Sequence, residues 1–265
     1  MNSHLKIIAG FKQGKSYVKD LYVSLPFRVV SVGQLKNDGR LYQMVMSSSP
    51  GILDGDHYDL QVVLEKGASL QLQSQSYQRL FNMKDQASQE LNVLMEDETS
   101  FSYVPHPIVP HEASNFKSTA KIHIGKKSDI IISEIITCGR KHHGEVFKLK
   151  RFQNLMEIYH ENKLMVKDNV VIQPDLIPIN SIGNLEQYTH QGTFIFFSTK
   201  ENVNKEDLAE NIINMSKNQS EMEIGISTME NNGFVLRAIA HGGEIMYNFF
   251  LQVQEMLWSL DQKQQ

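Results

Sequence analysis

From about residue 5 to residue 200, apolar and polar residues alternate in short runs, the two-residue period of half-buried strands. Tyr58-Asp59-Leu60-Gln61-Val62-Val63-Leu64 is one such run, and Ser69-Leu70-Gln71-Leu72-Gln73-Ser74 alternates strictly. Glu65-Lys66-Gly67-Ala68 between them predicts a turn, so the pair reads as a hairpin. The same pattern predicts strands over 116–124, 129–137, 145–159, 164–172 and 193–198, most of them separated by turns rich in Gly, Asn or Asp, such as Asn37-Asp38-Gly39. Ile130-Ile131-Ile132 and Ile135-Ile136 predict a strand buried on both faces. Glu134 interrupts that run, and a carboxylate there must reach a partner, a cavity or the solvent.

The period changes near the C-terminus. Residues 205–217 place Leu208, Ile212 and Met215 on one side of a helix. Residues 243–260 place Ile245, Met246, Phe249, Phe250, Val253, Met256, Leu257 and Leu260 in a broad apolar stripe. The stripe serves either packing on the β core or docking of a partner. Strands over 221–228 and 234–240 fall between the two helices, and 180–191 reads as a loop. No repeat or linker divides the chain. The expectation is one mainly β domain over residues 1–265, with about two α-helices in its C-terminal part.

Composition narrows the function classes. A chain of 265 residues buries roughly 70% or more of its unfolded surface, so it needs no staple. Thirty acidic against 26 basic residues give a net charge of −4, which opposes nonspecific binding to nucleic acid or to an anionic membrane. The single Cys138 excludes an internal disulfide framework and a Cys-only zinc site. No apolar run approaches the ~20 residues of a transmembrane helix, and the first residues lack the apolar stretch of a signal peptide. A cytoplasmic protein without membrane or nucleic-acid partners is expected.

Three segments concentrate chemistry. In Ser49-Pro50-Gly51-Ile52-Leu53-Asp54-Gly55-Asp56-His57, Pro and Gly force a tight backbone on which Asp54, Asp56 and His57 crowd. Oxygen and imidazole donors suit a divalent metal, and the same side chains equally suit capping of the turn's own amides. In Tyr103-Val104-Pro105-His106-Pro107-Ile108-Val109-Pro110-His111, the prolines hold the chain extended, and His106 and His111 are either metal ligands or surface groups. In the third, Glu134 and Glu145 flank Cys138-Gly139-Arg140. The two carboxylates fit an acid/base pair, a metal relay, or ion pairs with Arg140 and Arg151. Cys138 reads as a small buried residue more than as a nucleophile. Nucleotide-binding, serine-hydrolase and zinc-protease fingerprints are absent.

These segments, in this order, resemble the urease accessory protein D family (UreD, called UreH in some organisms). Residues 49–56 resemble its Pro-Gly-Gly-Leu-x-Gly-Gly-Asp segment, with Ile52 and Asp54 where Gly is common. Ser74-Gln75-Ser76-Tyr77-Gln78-Arg79-Leu80-Phe81 resembles its Thr/Ser-rich strand, and 103–110 its Leu-Pro-x-Pro-x-Ile stretch. Glu134, Gly139-Arg140 and Gly144-Glu145-Val146-Phe147 resemble its Glu…Gly-Arg…Gly-Glu-x-Phe block. The resemblance implies a β-helix-like stack of strands and a chaperone-like scaffold without catalysis. It implies apo-urease, a helical accessory protein F and a nickel-carrying GTPase, protein G, as partners. It also implies nickel(II) in transit and no tightly bound cofactor. Asp56, Glu134 and Glu145, then Asp54 and His57, are the candidates for weak nickel passage. Arg140, Gly51, Gly55, Gly139 and Gly144 are orienting or structural. From the residues alone, the alternative is a β-helical hydrolase using a carboxylate pair such as Glu134 and Glu145.

Overall fold

A computed structural model describes residues 1–201, 203–217, 219–230 and 233–260. The chain passes back and forth between two stacked sheets. β1 (Asn2–Lys12) and β2 (Lys15–Val23) lie in the first sheet, β3 (Phe27–Ser31) and β4 (Leu41–Ser47) in the second. β5 (His57–Leu64) returns to the first and β6 (Ser69–Ser74) to the second, where the short β7 (Gln78–Leu80) is appended. β8 (Ala87–Met95) is in the first sheet, and β9 (Ser100–Tyr103) and the short β10 (Ile108–Pro110) are in the second. β11 (Asn115–Ile124) and β12 (Asp129–Thr137) make one more round. The hairpin of β13 (Arg151–His160) and β14 (Lys163–Ile172) closes the first sheet. β15 (His190–Ser198), β16 (Met222–Thr228) and β17 (Gly233–Ala240) complete the second, with α1 (Lys205–Ser216) before β16 and α2 (Gly243–Trp258) at the end.

Because each round adds one strand to each sheet, the middle strands are parallel: β1, β5, β8, β11 and β13 in the first sheet, and β4, β6, β9 and β12 in the second. The expected hairpin of 58–64 with 69–74 does not form. The turn at 65–68 carries the chain from one sheet to the other instead. Leu60, Val62 and Leu64 of β5 and Leu70 and Leu72 of β6 all join the layer between the sheets. Side-by-side pairing would have removed them from facing sheets. Period-2 patterning specifies which side chains face inward, not which strand is the neighbour.

The run in β12 is buried on both faces, as its composition predicts. Ile130, Ile132 and Ile136 enter the layer between the sheets. Ile131 and Ile135 pack on the opposite side with Phe194, Phe234 and the apolar faces of α1 and α2. The stripe of α2 is thus covered by the protein's own second sheet. As a whole it is not a free docking face, because Met246, Phe249, Phe250, Val253 and Leu257 are buried. The strand expected over 145–159 begins only at Arg151. Before it, Phe147 adopts a left-handed backbone (φ 51°) and donates its N–H to the Cys138 carbonyl at 2.7 Å, folding this stretch back onto the end of β12. No helix among the described residues is long and apolar enough to cross a membrane.

The seat of α2 is tight. Phe250 stands edge-on to Phe194 with centroids 5.4 Å apart, and a Cβ added to Gly192 would meet the Phe250 ring at 2.9 Å. Phe250→Ala should therefore leave a cavity beneath α2 and cost about 3–5 kcal/mol, measured by urea unfolding monitored by circular dichroism.

Candidate functional site

Parts of the segments singled out in the sequence meet, whereas Asp54, Asp56, His57, Glu134 and Glu145 are not among the residues that line the meeting point. Residues 49–52, 74–79 and 137–143, together with Tyr103, His106 and His111, line one cleft of about 1540 Å³. The start of α2, through Gly243, Glu244 and Tyr247, supplies another part of its lining. Two close backbone approaches hold these turns together. Gly51 lies where a Cβ would meet the Arg79 carbonyl oxygen at 2.5 Å, and Gly139 where it would meet that of Pro110 at 2.6 Å. Ile52 fixes the same junction: its N–H donates to the Arg79 carbonyl at 2.8 Å, and its carbonyl accepts from Phe81 N–H at 2.9 Å.

Six of the ten histidines, His106, His111, His142, His143, His190 and His241, line the cleft. His106 is fixed by Ser74 Oγ at 2.8 Å and stacks on Tyr247 with centroids 4.2 Å apart. Burial lowers its pKa. Burial, reinforced by the nearby Arg140 charge, lowers that of His111. Burial pulls His190 down to about 4. These three rings are neutral at pH 7. Cys138 is buried at the cleft wall, and burial pushes its thiol pKa up, which suits packing and not nucleophilic attack.

The candidate carboxylates have separate surroundings. Asp54 Oδ1 accepts the Asp85 N–H at 3.0 Å. Asp56 accepts the Met1 ammonium at 2.9 Å and the Leu53 N–H at 2.8 Å, while His57 Nδ1 lies 2.8 Å from Ser88 Oγ. Glu145 forms a two-point pair with Arg140, Nε to Oε2 at 2.8 Å and Nη2 to Oε1, and also accepts the Glu112 N–H at 3.2 Å. The Arg140 hydrogen bond is the main cause that brings the Glu145 pKa down to about 2. Glu145 is held by Arg140 at the turn, whereas Glu134 faces the layer between the sheets beside Asn154 and Asp168, so the two do not form the acid/base pair of the hydrolase reading. No group of three or more His, Cys, Asp or Glu among the described residues is arranged to hold a metal ion.

Glu134 faces the layer between the sheets, in line with Ile132 and Ile136. Its residue surface is only partly covered, yet the surrounding layers desolvate the carboxylate strongly. Burial first, and the Asp168 charge second, push its pKa up to about 8 against a hydrogen bond with Asn154. Sequence reasoning missed its neighbours. Asn154 and Asp168 come from β13 and β14, while Thr193 and Arg237 lie in register with Glu134 across β12, β15 and β17. The available signal was a polar residue at an inward position of each strand: Asn154 between Phe152 and Met156, and Asp168 beside Val166.

The family model described as UreD urease accessory protein matches residues 2–264. The urease accessory protein UreD of Flavobacterium johnsoniae is 45% identical over 264 residues, covering 99% of this chain and 95% of that protein. That of Bacillus cereus is 31% identical over 242 residues, covering 91% and 88%. That of Actinobacillus pleuropneumoniae serotype 5b is 30% identical over 250 residues, covering 92% and 93%.

Two predictions follow from the carboxylates. Glu134 has a folded pKa above its unfolded value, so its stability contribution is full below about pH 4.5 and falls as pH rises towards 8. Glu134→Gln should therefore stabilise the protein by on the order of 2–3 kcal/mol at pH 7 and by almost nothing at pH 4.5, read as the difference between thermal melts at the two pH values. For Glu145 the sign is opposite: its folded pKa is depressed, so its contribution is present above about pH 4.5 and disappears as pH falls towards 2. Arg140→Gln should lower stability at pH 7, modestly because the guanidinium is partly exposed, and the same melts should show that cost vanishing in acid. With nearly its whole length matched by the family model, and with relatives at 45% and 31% identity aligned almost end to end, the chain belongs to the UreD urease accessory protein family.

Proposed function

We propose that this protein is a cytoplasmic, non-enzymatic scaffold for urease maturation. It binds apo-urease, a helical accessory protein F and, through it, the nickel-carrying GTPase protein G, and it helps pass nickel(II) to the urease active site. The observation that carries this reading is family membership along almost the whole chain. The cleft supports it, because residues 49–52, 74–79 and 137–143 of the segments that resemble the family's motifs converge there.

Glu134 is the leading transit group. Entry of a divalent cation would favour its ionised form, and two or three oxygen donors bind nickel weakly enough to release it. Asp56 and Glu145 are held by an ammonium and a guanidinium, so each takes part only by exchanging that partner for the passing ion. Asp54 and His57 hold the turn that positions Asp56.

The test is nickel content and activity of urease purified from cells co-expressing the cognate urease and its other accessory proteins. The chain is present, absent, or altered to Glu134→Ala. Without the chain, urease should be largely free of nickel and inactive. With Glu134→Ala, complexes should still form while nickel per urease falls. Normal urease in cells lacking the chain would refute the maturation role. Normal urease with Glu134→Ala would refute the assignment of Glu134 alone.

A further inference from the structure

The large cleft differs in charge from the rest of the protein. The chain carries 30 acidic and 26 basic residues, yet Arg79, Arg140 and Lys141 line the cleft against one carboxylate, Glu244. Arg140 is paired with Glu145. Arg79 and Lys141 are exposed and have no carboxylate partner among the described residues. These two cations mark two poles. At one, Arg79, Arg140 and His143 are near enough to His111 for their charges to act on it. His111 is 7% exposed, and its Nε2 finds no hydrogen-bond partner among the described residues. At the other, the Lys141 charge acts on His190, whose Cδ2 lies 3.2 Å from where a Cβ on Gly243 would stand. Gly243 opens α2, and the N-cap residue Gly242 offers no side chain to the first-turn amides, which carry the positive end of the helix dipole. Both poles favour an anion. The same cleft has an aromatic wall, where the His106 ring stacks on Tyr247 and stands edge-on to Tyr77 with centroids 6.1 Å apart.

We propose that the cleft docks an acidic segment of a partner protein, with carboxylates seated at Arg79 and Lys141 and an apolar side chain against Tyr77 and Tyr247. Three observations choose this occupant. The volume of about 1540 Å³ exceeds the roughly 300–1,000 Å³ of a small-ligand pocket and suits a length of polypeptide. The wall sets aromatic rings beside arginine, the side chains enriched where proteins meet. The two unpaired cations reverse the sign of an otherwise acidic surface, so an acidic partner is drawn to the cleft and turned away elsewhere. This proposal rests on the reading of the protein as a scaffold, and it names the chemistry that the cleft selects.

The test measures binding of the full chain to its purified cognate partners, apo-urease and the other accessory proteins, at low and high salt. Arg79→Glu combined with Lys141→Glu should raise Kd about tenfold, chiefly by slowing association, and should flatten the salt dependence seen with the parent. Lys127→Glu combined with Lys163→Glu makes the same change in net charge at residues that do not line the cleft, and should bind like the parent. Equal weakening by the two double variants would reduce the effect to net charge and overturn the docking site. Unchanged binding by the cleft variant would overturn it too. Both cleft cations are exposed, so that variant should melt with the parent. If it does not, Arg79→Gln combined with Lys141→Gln decides, and unchanged binding there overturns the docking site. Inorganic phosphate that binds the parent but not the cleft variant, without displacing the partners, would replace the acidic segment by a small anion. Urease nickel separates this proposal from the scaffold reading. If the cleft variant binds normally while urease made without the chain lacks nickel, the acidic segment fails and the scaffold stands. If urease made without the chain is normal while the cleft variant binds weakly, the maturation role fails and the docking site stands.

Discussion

Everything in this protein depends on a shared layer of side chains between two sheets built in alternation by one chain. Each middle strand contributes its inward positions to that layer: Leu5, Ile7 and Ala9 from one sheet, Leu70, Leu72 and Ile132 from the other. Because the strands of a round lie in different sheets, every round must end in a turn that crosses the layer's edge. Those turns carry Pro, Gly and short polar residues, and several of them gather into one cleft.

Within that apolar layer, charge is admitted where β12, β15 and β17 face β13 and β14. A buried carboxylate is costly unless it is paired or neutral. Both solutions occur side by side: Asp168 is paired with Arg237, and Glu134 is driven towards its neutral form by burial and by Asp168. A core built for stability alone would have apolar residues at these positions. Glu134 and Glu145 shift in opposite directions, the first raised chiefly by burial and the second lowered chiefly by its hydrogen bond with Arg140.

Much of this was legible beforehand, because local pattern determines local structure. The strand 129–137, both helices and the burial of β12 on two faces were readable from β-branched clustering and helical spacing. The neighbours of each strand were not, since alternation in 58–64 and 69–74 is the same for a hairpin and for a crossing between sheets. The site was legible as segments but not as an assembly. Glu134 stood out against five isoleucines, whereas Asp168 and Arg237 sat in less uniform strands and became conspicuous only when Arg237 reached the opposite sheet. Glu145 read as a candidate for two roles because its partnership with Arg140 depends on a turn at 139–147 that no periodicity announces.

The central proposal is that this protein acts in urease maturation as a scaffold that holds other proteins, with the cleft, where parts of the family-like segments meet, as its expected working face. Hydrogen–deuterium exchange, comparing the free chain with the complex it forms with cognate apo-urease and the other accessory proteins, tests it most directly. The account predicts slowed exchange in residues 49–52, 74–81, 103–111 and 137–143 on complex formation, with the strands of the first sheet unchanged. Protection confined to surfaces away from those segments, or no stable complex at all, would contradict it.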